Sequence, residues 1–210
     1  MPAFTETAPR LDNSWFDDKF GTVPMMAILR GYGAERALRT ASEAWALGIT
    51  LVEVPIQSDE DVETLGLLAE QAAARGFAVG AGTVTSRRHV ELARAAGARF
   101  VVSPGLDLDV ARYAAESGLH PLPGVGTATE VQVAERAGLR WLKAFPAAAL
   151  GPQWIKLLHG PFPRTRFVAT GGIDAGNAAG FLAAGARAVA VGSSLEDPEQ
   201  LTRLAELRTR

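Results

Sequence analysis

TLVEVPIQSDEDVETLGLLAEQAAARGFAVGAGTV, residues 50–84, holds one complete strand, helix, strand unit. The apolar run at 50–55 has the length of a buried strand, and the stretch 61–76 that follows has helical periodicity and ends at Gly76, where a left-handed C-cap is expected. A second strand resumes at 78–84. Moving outward, the same alternation repeats. Further strands are predicted for MMAILR at 25–30, FVVSP at 100–104, HPLPGV at 120–125, WLKAFP at 141–146, RFVATGG at 166–172 and AVAVGSS at 188–194, which makes eight. Helices are predicted for 34–48 and 127–138 as well, ending at Gly48 and Gly138. Strands joined through helices run parallel, and eight such units in 210 residues close more naturally into a (β/α)₈ barrel than into a doubly wound open sheet. The first strand is not followed by G-x-G-x-x-G, and the glycine pairs come late, after strands seven and eight, which also favours the barrel. Residues 11–20, LDNSWFDDKF, are expected to form an amphipathic helix closing the bottom of the barrel, within an N-terminal extension spanning 1–24.

The bulk numbers fit one domain over 1–210. The chain is 48% hydrophobic and 21% charged, so it can bury a full core. A net charge of -2 supplies no basic field for nucleic acid or an anionic membrane, which points to a small-molecule partner. There is no cysteine, so thiolate catalysis and cysteine-based metal sites drop out. The N-terminus lacks the basic and apolar regions of a signal, and a cytoplasmic location is expected. Histidines 89, 120 and 159 are scattered without metal-ligand spacing, so neither a metal nor a cofactor is expected. No G-x-S-x-G elbow or Walker-type loop is present.

In a barrel, polar side chains at the C-terminal ends of strands face the active site, so polar residues inside apolar strands are the informative ones. Of three lysines, Lys19, Lys143 and Lys156, only Lys143 sits inside an apolar strand, with Trp141 and Phe145 on the same face. Lys156 falls in the helical stretch GPQWIKLLHG and reads as a surface lysine. Burial would lower the pKa of Lys143 and supply a neutral amine able to attack a carbonyl. A lysine reaching to solvent or holding a structural ion pair fits the same position. Glu53 is the single charge in Leu-Val-Glu-Val-Pro-Ile-Gln, suited to proton transfer beside Lys143 or to pairing with an arginine. Arg30 ends strand one, where a guanidinium can grip a carboxylate or sit as an exposed rim charge. Thr170-Gly171-Gly172 and Gly192-Ser193 end strands seven and eight, the usual position of a phosphate cradle in barrels. Thr83 and Pro104 can shape the pocket without acting as acid or base.

Glu-Val-Pro-Ile-Gln at 53–57, Gly-Ala-Gly-Thr-Val at 80–84, Ser-Pro-Gly at 103–105, Leu-Lys-Ala-Phe-Pro at 142–146 and Thr-Gly-Gly-Ile at 170–173 occur in one order. Through them the chain resembles the class I 2-keto-3-deoxy-6-phosphogluconate and 2-keto-3-deoxy-6-phosphogalactonate aldolases, a group that includes 4-hydroxy-2-oxoglutarate aldolases. The resemblance implies a Schiff-base role for Lys143 and an acid/base role for Glu53. It further implies keto-acid contacts from Thr83 and Pro104, phosphate binding by Gly171, Gly172, Gly192 and Ser193, and a homotrimer. Where the phosphogluconate branch has an arginine four residues after the glutamate, this chain has Gln57. Arg30, expected to supply the missing cation, and the Gln57 substitution look like the phosphogalactonate branch, whereas Thr170 looks like the phosphogluconate branch.

The expected chemistry is attack of Lys143 on the C2 carbonyl of a phosphorylated keto acid, followed by aldol cleavage to pyruvate and glyceraldehyde 3-phosphate. A phosphosugar isomerase or epimerase using Glu53 as base, and a non-catalytic phosphosugar sensor, are the alternatives.

Overall fold

In the computed structural model, residues 10–20 and 23–207 are described. Among the described residues nine short strands run parallel: β1 Met25–Ile28, β2 Leu51–Pro55, β3 Ala78–Gly82, β4 Phe100–Val102, β5 His120–Leu122, β6 Gly124–Val125, β7 Trp141–Ala144, β8 Arg166–Thr170 and β9 Ala188–Val191. Their order, β5-β4-β3-β2-β1-β9-β8-β7-β6, starts and ends on segments adjacent in the chain, so the sheet rolls into a nearly closed barrel. β5 and β6 are the two halves of the single fifth strand expected over 120–125. The lower half pairs with β4 and the upper with β7. Prolines at 121 and 123 cannot donate to a ladder, which breaks the strand, although the Lys143 N–H still reaches the Pro123 carbonyl at 2.9 Å.

The connecting helices are α1 Ala34–Ala46, α2 Asp59–Ala73, α3 Arg87–Ala95, α4 Leu108–Glu116, α5 Ala128–Ala137, α6 Ala147–Leu150, α7 Pro152–Leu158, α8 Ala178–Ala183 and α9 Pro198–Ala205. α2 begins two residues before the expected stretch because Ser58 caps it: the Ser58 side chain accepts from the Asp61 N–H, and the Asp61 side chain accepts from Ser58 in return. Thr127 and Glu130 repeat this device on α5.

Strand alternation divides the core into two layers. Val52, Val54, Leu142, Ala144, Phe167 and Ala169 face outward onto the helices. Met26, Leu51, Phe100, Leu122, Trp141 and Val168 fill the barrel. Gly80 makes room for the Phe100 ring, since a Cβ there would lie 2.3 Å from it.

The N-terminal segment closes the bottom, but as one 3-10 turn, Ser14–Asp18, rather than a helix over 11–20. Asn13 explains the difference. Fully buried, its Nδ2 donates to the carbonyls of Pro121 and Trp141 at 3.0 and 2.8 Å, and its Oδ1 accepts from the N–H groups of Arg140 and Trp141. Leu11 donates its N–H to the Ala137 carbonyl. These bonds tie the chain to the barrel floor and leave only the next five residues to coil, which sends Phe16 into the interior. Asp17 accepts from the Trp141 indole at 2.6 Å and pairs with Arg166. The remainder of the expected extension, 1–9 together with 21 and 22, lies outside the described residues.

Candidate active site

Among the described residues, the two buried charges stand on β2 and β7. Glu53, paired in register with Ile28 and Gly80, is 1% exposed, and Lys143, paired with Gly124 and Val168, is 5% exposed. Both point inward because they alternate with Val52, Val54, Leu142 and Ala144. Burial pushes the Glu53 carboxyl above its usual range, opposed by the positive charges of Lys143 and Arg30. Burial pulls the Lys143 amine below its usual range; the Glu53 carboxylate opposes this and Arg30 adds to it. Glu53 Oε2 is buried without a hydrogen-bond partner, so the carboxyl retains an open site for a proton or a water. The Lys143 ammonium nitrogen lies 4.6 Å from the centre of the Phe145 ring.

A cavity of about 360 Å³ opens beside Lys143 at the mouth. Arg30 and Tyr32 form one wall and Phe145, Thr170, Gly171, Gly172, Gly192 and Ser193 the other, all from strand ends or the turns after them. Gly171 and Gly172 have φ of +97° and +72°, and Gly172 has no room for a side chain, since a Cβ would come 2.6 Å from the Ala148 Cβ. Their carbonyls are bonded away from the barrel axis, to the Ala148 N–H at 2.9 Å and the Asn177 side-chain amide at 2.8 Å. The backbone at this end is thereby fixed, and nothing larger than a hydrogen stands at positions 171 and 172. Thr170 is buried and donates to the Val168 carbonyl.

Of the expected site residues, Arg30, Lys143, Thr170, Gly171, Gly172, Gly192 and Ser193 surround this one cavity. Glu53 lies deeper. Gln57, Thr83 and Pro104 stand off its lining, on the β2, β3 and β4 side of the mouth. Gln57 meets the site through Arg30, whose Nη1 donates to its Oε1 at 2.5 Å. Thr83 is the one non-glycine residue with positive φ among the described residues, at +59°, directly after Gly82, whose missing side chain leaves space for Glu53. The Pro104 carbonyl packs against Gly124, the register partner of Lys143. Tyr32 and Ile173 line the cavity without having been expected there. Tyr32 gives no sign in the sequence beyond the flanking Gly31 and Gly33, both of positive φ. Among the described residues no group of three His, Asp or Glu side chains is arranged to hold a metal ion, and no helix is long and apolar enough to cross a membrane.

Residues 16–206 match the family model described as KDPG and KHG aldolase. The chain belongs to this family. It is therefore an aldolase, a carbon-carbon lyase, which sets aside the isomerase and sensor alternatives. A protein of Rhizobium meliloti (strain 1021), named a probable 2-dehydro-3-deoxy-6-phosphogalactonate aldolase, is 37% identical over 83% of this chain and 82% of its own length. A 2-dehydro-3-deoxy-phosphogluconate aldolase of Pseudomonas aeruginosa is 39% identical over 65% of this chain and 61% of its own. The structure of KDPG aldolase from Legionella pneumophila, with pyruvate captured as a covalent carbinolamine, superposes with a TM-score of 0.77 at 29% identity, covering 89% of this chain and 93% of that one.

Proposed function

We propose that this aldolase cleaves 2-keto-3-deoxy-6-phosphogluconate or its galactonate epimer to pyruvate and glyceraldehyde 3-phosphate through a Schiff base on Lys143, and accepts 4-hydroxy-2-oxoglutarate as well. The observation that carries the reading is the buried amine of Lys143 on the wall of the cavity, within electrostatic reach of the buried Glu53 carboxyl. The Legionella relative, which holds pyruvate covalently, supports it.

The neutral amine attacks C2 of the keto acid, and loss of water leaves an iminium. Glu53, directly or through a water at Oε2, takes the proton of the C4 hydroxyl as the C3–C4 bond breaks. The bonding pair moves into the iminium and forms an enamine, and glyceraldehyde 3-phosphate departs. Protonated Glu53 then returns the proton to C3, and water hydrolyses the iminium to pyruvate and free lysine. A carboxyl whose pKa is raised by burial suits this alternation between base and acid. Gly171, Gly172, Gly192 and Ser193 take the phosphate, where small residues permit close backbone approach. Arg30, with Thr83 and Pro104, serves the carboxylate end, and Thr170 stands beside the reacting carbons. The active protein is a cytoplasmic homotrimer.

Borohydride reduction in the presence of pyruvate tests the reading. A 1-carboxyethyl adduct, the secondary amine left by reduction of the pyruvyl imine, is expected on Lys143 by peptide mass mapping and is expected to vanish in Lys143→Ala. A modified lysine elsewhere, or unmodified protein, contradicts it.

A further inference from the structure

Gln57 differs from the other expected substrate contacts, because it reaches the cavity only through another side chain. Its Oε1 accepts from Arg30 Nη1 at 2.5 Å, and Arg30 lines the cavity while Gln57 does not. The base of Gln57 is fixed independently: its N–H donates at 2.9 Å to Asp61 Oδ2, the same oxygen that accepts from the Ser58 N–H and hydroxyl in the cap of α2. The amide oxygen is therefore offered to Arg30 from a stub anchored to the first turn of a helix. That acceptor carries no charge. A carboxylate at this position would bind the guanidinium as an ion pair and cancel its attraction for an anion, and a second cation would repel it. A neutral acceptor holds the guanidinium in place with its charge undiminished.

We propose that Gln57 is a positioning residue that orients the Arg30 guanidinium toward the anionic substrate and makes no substrate contact of its own. The inference rests on the keto-acid reading of the Lys143 cavity. It also accounts for a chain with no arginine at position 57: the cation comes from β1, and the residue on the β2 side supports it.

A double-mutant cycle on steady-state cleavage of the better of the two phosphorylated epimers tests this. Methionine keeps the length of glutamine and lacks the acceptor. Gln57→Met is expected to raise KM about fivefold to tenfold, the scale of one lost solvent-exposed hydrogen bond, with kcat within about twofold. Arg30→Met is expected to raise KM further, and adding Gln57→Met to it is expected to change KM by less than about twofold. Gln57→Glu keeps the hydrogen bond but neutralises the cation, so it is expected to raise KM at least as much as Gln57→Met. The proposal is overturned if the Gln57→Met effect persists in full without Arg30, which would make glutamine a direct contact, or if KM is unchanged in Gln57→Met. Borohydride labelling of the same proteins separates the two levels. Pyruvate labelling of Lys143 with a flat KM in Gln57→Met removes this inference alone, whereas a wild-type protein that gives no Lys143 adduct removes the keto-acid reading and this inference with it.

Discussion

Glu53 fills the space that a side chain at position 82 would need: a methyl group on Gly82 would stand 2.0 Å from Glu53 Oε1. The glycine at the end of β3 thus sets where the carboxyl on β2 can lie. Gly82→Ala is expected to swing Glu53 away from the reacting atoms while leaving Lys143 in place. Cleavage should fall by about 10² or more, the usual worth of a positioned acid/base, while borohydride labelling of Lys143 by pyruvate persists. Gly80→Ala is the control. Its methyl meets the Phe100 ring, so its damage should appear in stability, at about 1–3 kcal/mol of overpacking.

Glu53 and Lys143 are both buried against their charge preference, and stability should show it. Replacing the two with uncharged residues of similar size, Glu53→Gln with Lys143→Met, should stabilise the inactive fold at pH 7 by about 1–4 kcal/mol. The pH dependence follows from the signs. A carboxyl raised above its ordinary 4.5 favours the folded state below that pH, an advantage lost as pH rises through the folded value. An amine lowered from its ordinary 10.5 favours the folded state above 10.5, an advantage lost as pH falls through the folded value. The wild type therefore carries both penalties where carboxylate and ammonium are both charged, and toward pH 4 the Glu53 share of the gap to the double variant should disappear while the Lys143 share stays level. Urea midpoints measured from pH 4 to pH 9 check this, and a gap that widens in acid contradicts it.

The floor of the barrel gives the opposite separation. Asn13 makes four hydrogen bonds to backbone groups at the barrel floor, including both those of Trp141 at the start of β7. Asn13→Ala leaves those groups unsatisfied and should cost about 3 kcal/mol by denaturant titration. At a temperature where the variant remains folded, kcat/KM should stay within about twofold of wild type.

At the mouth, Gly172→Ala would meet Ala148 and strain a backbone with φ of +72°. The turn should shift, raising KM for phosphorylated keto acids about tenfold or more while half-saturation by pyruvate, which lacks a phosphate, stays level. Equal losses for both ligands would remove position 172 from the phosphate site.

The repeat of strand and helix is legible in the sequence because buried parallel strands are continuous apolar runs, and each is separated from the next by a glycine-ended helix. Glu53 and Lys143 are legible for the same reason, as charges in otherwise apolar strings. The break at Pro123 is visible only as composition, because the choice between a bent strand and two short ones depends on which neighbours offer donors. The single turn at 14–18 escapes a pattern of apolar spacing, since four bonds from one asparagine to distant backbone override local helical preference. Tyr32 escapes for another reason: it stands in a loop, and only the closed barrel brings that loop beside Gly192. Gln57 is visible as a departure from the phosphogluconate pattern, but its hydrogen bond to Arg30 requires the ends of β1 and β2 to be adjacent.

Prolines at 121 and 123 leave the cylinder with a lengthwise seam. On one margin His120–Leu122 is stitched to Phe100–Val102, on the other Gly124–Val125 to Lys143–Ala144, and the covalent chain itself spans the gap. Continuity around the circumference at that point rests on one short segment of main chain, and Lys143 stands one strand in from the margin.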